Sequence, residues 1–349
     1  MLFPETVSKL SELKPGAVAD MFALLCSKKQ DVTKAGKPFY KCTFRDADRE
    51  AAVMVWSDSG HFADCETNWA KGSFYKLRGT YEENNYGPQI NLDKIRPVIP
   101  GDADAGFDEA DFFETSRFDP DNMFRALTTL CEDKIEDRPL RAAVLKVLND
   151  RAEDFKKWPA ANRNHHAFAG GLLEHTLSVV RTTDWLCEKY AGMYPDLAPP
   201  LCSDAAIAGA TLHDVGKLQE LDGSPAGAEY TASGRLIGHI LIGRDWLREA
   251  AAAAPGGPVD PELLLRTEHV VVSHHGIREY GSPAEPHTPE ALIVQHADEI
   301  DAKFNMLADG LKRASAGGVN DGPFTPFDKR FGKPIFRGLP EESGSTEGD

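Results

Sequence analysis

The amino-acid sequence predicts two domains of different fold class, a small all-β barrel followed by an all-α domain. The chain has 349 residues, of which 41% are hydrophobic, and this is enough to bury two independent cores. Short strand-like stretches separated by turn signals fill residues 14–98. From residue 122 onward, apolar residues instead recur at intervals of three and four, which is typical of amphipathic helices.

The first domain, residues 14–98, has the pattern of a small barrel. In PFYKCTF two sets of side chains alternate along the strand, AAVMVW continues in strand-forming residues, and NNYG is a turn signal. Several short strands in so short a stretch favour an OB-fold. Aromatic side chains of such a barrel stack on bases and basic ones contact phosphates, although about half of the aromatic residues must belong to the core. The candidate nucleic-acid contacts are Phe39, Tyr40, Lys41, Trp56, Arg78 and Tyr86.

Two segments lie outside the predicted domains. Residues 99–121 are rich in Asp, Gly and Ala, with Pro100 and Pro120 near their ends, and we expect them to form an acidic, solvated linker. Residues 312–349 form a C-terminal extension whose many glycine and proline residues exclude a long helix, and we expect its last nine residues to be disordered. The predicted helical domain therefore covers residues 122–311.

The helical domain carries several histidine and aspartate residues in apolar surroundings. The segments are GGLLEHTLSVV, AGATLHDVGKL, LIGHILIG, VVVSHHG and QHADEIDAKF. A single histidine on an apolar helix face is more often a hydrogen-bonded core residue than a metal ligand. Seven such groups in one domain instead predict a metal site, and the candidate ligands are His175, His213, Asp214, His239, His274, His275 and Asp298.

The type and number of these groups predict two metal ions. Imidazole nitrogens and carboxylate oxygens suit Mn²⁺, Fe²⁺, Co²⁺, Ni²⁺ or Zn²⁺, of which we expect Mn²⁺. A catalytic ion usually takes about three or four protein ligands and leaves a position open for water, so seven groups are too many for one ion. Two ions that share Asp214 use all seven. In that arrangement His175, His213 and Asp298 complete the first site, and His239, His274 and His275 complete the second.

The order of these groups resembles a known family. From about residue 122 to residue 311 the chain is similar to the HD superfamily of metal-dependent phosphohydrolases, through H, HD, H, HH and D in that order. The segments NHHAFAGGLLEHTLSVV, LHDVGKLQEL, GHILIG, SHHG and FTPFDKRFGKPIFRG resemble the YhaM-type 3′-5′ exoribonucleases, which carry an OB-fold ahead of the HD domain. The resemblance implies a helical domain that cleaves phosphodiesters of RNA from the 3′ end, supplied by a nucleic-acid-binding barrel.

Three catalytic roles are predicted beside metal binding. Asp214 would bridge the two ions that activate a water for attack on phosphorus. Lys217 follows His213 by four residues and, if the helix persists, could neutralise charge on the transferring phosphate; the alternative is an ordinary cation at a helix end. His166, next to His165, could contact the phosphate or protonate the leaving oxygen, or the pair could simply be exposed at a helix start. Asp301 could orient a ligand histidine.

The charge and cysteine content limit the partners and the location. The formal net charge of −16 excludes a large basic stripe, but residues 15–100 are near neutral, with 12 Lys and Arg against 11 Asp and Glu. The six cysteines form no CxxC pair, and no signal peptide or membrane span is evident, so we expect a cytoplasmic protein with reduced thiols.

Three classes of function fit these observations. The first is a 3′-5′ exoribonuclease that acts on single-stranded RNA, with DNA as a further possible substrate. The alternative is an HD phosphohydrolase of small nucleotides, cyclic nucleotides or dinucleotides, in which the OB domain is regulatory. The third is a catalytically silent nucleic-acid-binding module, which the complete set of seven ligands disfavours.

Overall fold

The computed structural model describes residues 7–84, 87–113, 115–161, 166–223, 228–316 and 322–339. The chain divides into two compact units, Met1–Thr115 and Ser116–Asp349. The first unit is built around a β-sheet and the second is helical, so the predicted combination of fold classes is confirmed. Within the described ranges, no helix is both long and apolar enough to span a lipid bilayer.

The first unit is a closed five-stranded barrel. Its strands pair in the order β1-β2-β3-β5-β4, and β1 closes the barrel by pairing with both β2 and β4. A register shift in β1 between Leu25 and Ser27 marks a bulge, which bends this long strand so that it can serve two neighbours. This topology is the predicted OB-fold. The elements are β1 (Val18–Val32), β2 (Pro38–Arg45), β3 (Glu50–Trp56), α1 (Phe62–Asn68), β4 (Phe74–Asn84) and β5 (Gly87–Pro97).

The segment after β5 differs from the expected solvated linker. Its described residues form short 3-10 helices over Pro100–Ala105 and Glu109–Phe112. Asp102 is only 3% exposed and accepts two hydrogen bonds of 2.6 Å from the Arg96 guanidinium. The ring of Phe74 in β4 lies 5.2–6.1 Å from the ring centroids of Phe107, Phe112 and Phe113. Up to Phe113, this segment is therefore packed against the barrel by an ion pair and an aromatic cluster.

The second unit contains ten α-helices in its described residues. Three of them begin with the same signal, an aspartate at the N-cap with proline at the first or second helical position, at Asp119, Asp137 and Asp260. The helices are α2 (Pro120–Lys134), α3 (Arg138–Asn149), α4 (Ala152–Phe155), α5 (Gly171–Met193), α6 (Ser203–Leu212), α7 (Lys217–Glu220), α8 (Ala232–Leu236), α9 (His239–Ala252), α10 (Pro261–Ser273) and α11 (Pro289–Ala316).

The core of the helical unit is organised around α5 and α6. Helix α5 packs on α6 and α11, and α6 also packs on α10. Every residue of α6 from Ala205 to Leu212 is buried, which its small side chains permit. A Cβ atom on Gly209 would lie 2.3 Å from Cγ1 of Val270 in α10, so the two helices approach as closely as glycine allows. This approach brings the C-terminal ends of α6 and α10 together.

The described C-terminal residues 322–339 contain only isolated bridges, Phe324 with Phe336 and Asp328 with Lys333. The Arg330 guanidinium lies 2.6 Å from carboxylate oxygens of both Asp328 and Asp309, and Asp309 belongs to α11. An ion pair therefore attaches this segment to the last helix. The final nine residues, for which we predicted disorder, lie outside the described residues.

Candidate metal centre

The structure brings all seven predicted metal ligands together at one end of the helical unit. His175 is in the second turn of α5, and Asp298 is in the middle of α11. The other five lie at helix termini, where the chain turns and a side chain can reach the centre. His213 and Asp214 follow α6, His239 begins α9, and His274 and His275 follow α10.

The seven residues form two groups that share Asp214. In the first group, His175 Nε2 lies 3.2 Å from Asp298 Oδ1 and 3.5 Å from Asp214 Oδ2, which is also 3.4 Å from His213 Nε2. In the second group, Asp214 Oδ1 lies 3.3 Å from His239 Nε2 and 3.6 Å from His274 Nε2, with His275 nearby. Because each oxygen of Asp214 faces a different group, its carboxylate has the geometry of a bridge.

The hydrogen bonds of the five imidazoles aim their free nitrogens into the centre. Each Nδ1 faces an oxygen atom to which it can donate its proton, and this hydrogen bond directs Nε2 at the centre. The same arrangement is typical of metal-bound histidines. The acceptors are Asp301 Oδ2 for His175 (2.7 Å), Ala210 O for His213 (2.7 Å), Glu220 Oε1 for His239 (2.9 Å), Val271 O for His274 (2.7 Å) and Tyr280 O for His275 (2.9 Å).

The centre fits divalent cations because its inward atoms lack other partners. Among the described residues, Asp214 Oδ1, His239 Nε2 and His274 Nε2 are buried without a hydrogen bond. Each such atom costs about 1–3 kcal/mol if left unsatisfied. In addition, the Nε2 atoms of His175 and His213 lie only 3.2 Å apart. Nitrogen and oxygen atoms that face one another in this way suit a borderline divalent metal ion.

The protonation states of the buried groups agree with metal binding. Burial lowers the pKa of His274, and it lowers the pKa of His275 to about 4, so both imidazoles are neutral at pH 7. Burial also opposes charge on Asp214, but Lys217 and the neighbouring histidines outweigh it and hold the pKa of Asp214 well below its usual range. Neutral imidazoles and ionised carboxylates are the forms that bind metal.

His175 lies in a strongly negative environment. Its burial favours the neutral imidazole, yet hydrogen bonds with Asp214, Asp298 and Asp301 hold its pKa well above the usual value. Three carboxylates thus surround the His175 ring, and a proton on Nε2 balances part of their negative charge. A divalent cation replaces that proton when it binds, so metal binding at this ring releases a proton.

Lys217 lies beside Asp214, although not on the continuous helix that the spacing suggested. Helix α6 ends at Leu212 and α7 begins at Lys217, with a turn between them. The buried Lys217 ammonium donates a 2.7 Å hydrogen bond to Asp214 Oδ2. Gly216 permits this turn, because a Cβ atom there would lie 2.0 Å from the carbonyl oxygen of His239.

Glu220 is a functional residue that the sequence reasoning missed. Its carboxylate is 7% exposed and accepts hydrogen bonds from both Nδ1 and the backbone N–H of His239, at 2.9 and 3.0 Å. It therefore fixes both the ring and the first turn of α9. The sequence gives only one weak signal for this role, an acidic residue six positions after Asp214.

His166 and Asp301 form the other outer contact. His166 is 4% exposed and has a left-handed backbone, with φ of 47°. Its Nε2 lies 3.0 Å from Asp301 Oδ2, the same oxygen that His175 Nδ1 contacts. Its backbone N–H donates to Asn305 Oδ1 at 2.9 Å. The orienting contact expected of Asp301 is therefore present, and His166 shares it. His165 lies outside the described residues.

The barrel candidates are placed on both faces of the sheet. Phe39 and Trp56 pair across β2 and β3 with ring centroids 5.0 Å apart; Trp56 is 45% exposed, and the Lys41 side chain is also exposed. Tyr40 is 7% exposed and faces the barrel core, so its predicted role in stacking on bases is corrected. Arg78 lies 3.3 Å from the Asp20 carboxylate. Tyr86 lies outside the described residues.

Comparisons with known proteins agree with this architecture. The HD domain family matches residues 172–303. The chain is 32% identical over 321 residues to the 3′-5′ exoribonuclease YhaM of Bacillus subtilis, covering 92% of this chain and 96% of that protein. It is 30% identical over 325 residues to the YhaM protein of Bacillus licheniformis, with the same coverage of both chains.

Solved structures give only a partial likeness. The second OB-fold domain of replication protein A from Methanococcus maripaludis is 21% identical, covers 27% of this chain and 95% of its own, and has a TM-score of 0.22. The family assignment rests instead on sequence identity along nearly the whole length of the two Bacillus proteins and on the HD match. The chain belongs to the YhaM family of HD-domain proteins.

Proposed function

We propose that this protein is a metal-dependent 3′-5′ exoribonuclease that hydrolyses phosphodiester bonds of single-stranded RNA. The observation that carries the proposal is the pair of ligand groups joined by Asp214, in which Asp214 Oδ1, His239 Nε2 and His274 Nε2 have no hydrogen bond among the described residues. The polarity and the RNA substrate follow from membership of the YhaM family, whose two curated relatives are named as 3′-5′ exoribonucleases.

The proposed ligand sets follow the two groups. His175, His213, Asp214 and Asp298 hold one divalent ion, and Asp214, His239, His274 and His275 hold the other, with Mn²⁺ the expected metal. Two such ions supply Lewis acidity toward a phosphoryl oxygen and lower the pKa of a water molecule. The chain's own contribution is to orient the ligands: five oxygen acceptors fix the five imidazoles before substrate arrives.

The other two catalytic roles are assigned to Lys217 and His166. The Lys217 ammonium, bonded to Asp214, holds that carboxylate in place and places a positive charge beside the reacting phosphate. His166 is held by Asp301 and by Asn305. It contacts the phosphate or delivers a proton to the leaving oxygen. Neither role requires a covalent intermediate.

The barrel is proposed to bind the RNA strand. The barrel has an aromatic pair formed by the exposed Trp56 and the partly exposed Phe39, with the cation of Lys41 on the same strand as Phe39, and this combination holds single strands by stacking and charge. The preference for RNA over DNA and a cytoplasmic location complete the proposal.

The experiment uses single-stranded RNA and DNA that carry a label at the 5′ end. With Mn²⁺ present, we expect RNA products that shorten stepwise from the 3′ end, and we expect an excess of chelator to stop the reaction. Asp214→Ala should abolish both metal occupancy and turnover, whereas Asp196→Ala, an exposed carboxylate far along the chain from every ligand segment, should leave both intact. Inert polymers together with hydrolysed small nucleotides would contradict the proposal and favour the phosphohydrolase alternative.

A further inference from the structure

A cleft of about 770 Å³ lies beside the metal centre in the helical unit. Its walls come from the segment before α2, from the start of α2, and from one face each of α5 and α11. Its volume is within the range of sites that hold drug-sized ligands. Asp301 and His166 both line the cleft, and Asp301 also bonds the candidate ligand His175, so the cleft adjoins the metal centre through Asp301.

The cleft continues the metal centre along two helices. On α11, the cleft-lining residues Asp301 and Asn305 follow Asp298 at intervals of three and four residues, which places all three on one helix face. On α5, Ser178 and Thr182 follow His175 at the same intervals. Seven residues of helix rise about 10 Å, so the cleft extends away from the ligands by about that distance. A chain bound at the centre can therefore continue into the cleft.

The cleft has the chemistry of a single-strand site. Arg117 and Arg181 are exposed, and among the described residues neither guanidinium has a carboxylate within ion-pair distance. Phe118 is 47% exposed and Phe304 is 65% exposed, which is unusual for aromatic side chains that line a cleft. The Arg117 guanidinium lies 4.8 Å from the ring centroid of Phe118. Free cations and exposed rings are the two features that bind phosphates and unpaired bases.

The acidic side chains of the cleft already accept hydrogen bonds from other groups of the protein. Asp301 accepts hydrogen bonds from His166, His175 and Ser178. Glu174 accepts one from the Ser116 hydroxyl at 2.6 Å, and Asp119 caps α2 by accepting from a backbone N–H. Their negative charges are thus partly satisfied within the protein. Among the described residues, the guanidinium groups of Arg117 and Arg181 therefore remain available to a negatively charged ligand.

We propose that this cleft binds the single-stranded polynucleotide next to the scissile phosphodiester, with Arg117 and Arg181 on backbone phosphates and Phe118 and Phe304 stacked on bases. The proposal rests on the proposed nuclease function, because it places the strand relative to the reacting bond. The exposure of these four side chains leaves the cleft open to solvent, so a chain longer than one nucleotide can pass along it.

Binding is tested on the full chain, in chelator, with a fluorescent single-stranded oligoribonucleotide. Arg181→Ala and Phe304→Ala should each raise Kd about tenfold, while Arg181→Lys and Phe304→Trp should recover most of the affinity. Lys189→Ala is the matched control, because it removes an exposed cation from the same helix outside the cleft and should leave Kd unchanged. An unchanged Kd in the two cleft variants would overturn the proposal.

Turnover separates strand binding from damage to the metal centre. For Arg181→Ala and Phe304→Ala, the loss of kcat/KM on RNA should exceed the loss on bis-p-nitrophenyl phosphate by about tenfold or more. Equal losses on both substrates, or an equal loss of affinity for a mononucleotide, would contradict a strand site. If the unmodified protein hydrolyses no phosphodiester while Arg181→Ala still weakens oligonucleotide binding, the nuclease proposal fails and the cleft assignment stands.

Discussion

The five imidazoles of the metal centre are oriented by five different oxygen atoms. Three of these are backbone carbonyls, those of Ala210, Val271 and Tyr280, and two are the carboxylates of Asp301 and Glu220. The position of a backbone carbonyl is set by the fold and cannot be read from the residue type. A carboxylate requires Asp or Glu, so Asp301 and Glu220 are the two orienting groups that a substitution can remove.

Asp301→Asn should weaken metal binding without removing a ligand. The carboxylate lies between His166 and His175, and replacing it by a neutral amide lowers the basicity of the His175 ring. We expect the affinity for Mn²⁺ to fall by about 10- to 100-fold, measured by titration of the metal-free protein. Glu299→Gln on the same helix, where Glu299 is ion-paired only with exposed groups, is the control. Equal affinities in both variants would show that Asp301 does not support the ligand.

The seven candidate ligands that the structure brings together could be named from the sequence, whereas the groups that orient them could mostly not. His213 and Asp214 stand in a short motif whose residue types already limit the chemistry. The role of Glu220 depends on the turn after α6 and on the close approach of Gly216 to the backbone of His239, which no local pattern encodes. The prediction for Tyr40 failed for a different reason. Strand alternation places a side chain on one of two faces, but it does not show which of the two faces is the core.

At the level of elements, the packing of α6 on α10 determines how the ligands meet. The His–Asp pair follows α6 and the two adjacent histidines follow α10, so a shift between these helices separates the bridging carboxylate from the second group. The four alanines and Gly209 of α6 predict such close packing. The end of α6 at Leu212 was not predictable, because the His213 ring takes the Ala210 carbonyl as its partner at that end of the helix.

Gly209→Ala should destabilise the protein and disturb the centre. The added methyl group would overlap Val270, and overpacking of this kind costs about 1–3 kcal/mol, which exceeds the gain of up to about 1 kcal/mol in helix propensity. Gly192→Ala in α5 is the matched control, since a Cβ atom there meets nothing within 4 Å. In thermal denaturation we expect Gly209→Ala to lower Tm and Gly192→Ala to raise it slightly. A rise in Tm for both variants would show that the contact between α6 and α10 can accommodate an added methyl group.

At the level of the whole molecule, the sequence separated the two fold classes correctly because strand and helix patterns differ in period. It treated the acidic residues after β5 as solvated because Asp and Gly dominate their composition. The aromatic cluster around Phe74 and the buried pair of Arg96 with Asp102 instead attach them to the barrel. The contacts of Phe74 with Phe107 and Phe112 join residues more than 30 positions apart and have no local signature, so composition alone favoured a spacer.

Removal of the barrel should affect long substrates more than small ones. A truncated protein that begins at Ser116 keeps the helical unit and its candidate ligand groups, while the Phe39 and Trp56 pair is lost. We expect a larger fall in kcat/KM on long RNA than on bis-p-nitrophenyl phosphate, measured at equal metal occupancy. A circular dichroism spectrum of the truncated protein verifies that its helices are folded. Equal falls on the two substrates would contradict a substrate-binding role for the barrel.

The shared carboxylate of Asp214 affects how cations bind at the centre. Because one side chain serves both ligand groups, whatever occupies one position alters the charge and orientation offered to the other. If two cations occupy the two groups as proposed, their binding equilibria are linked, and thermodynamic linkage is reciprocal: each cation changes the affinity for the other by the same factor. Selectivity among competing cations would then depend on both positions together, because the affinity at one position changes with the occupant of the other.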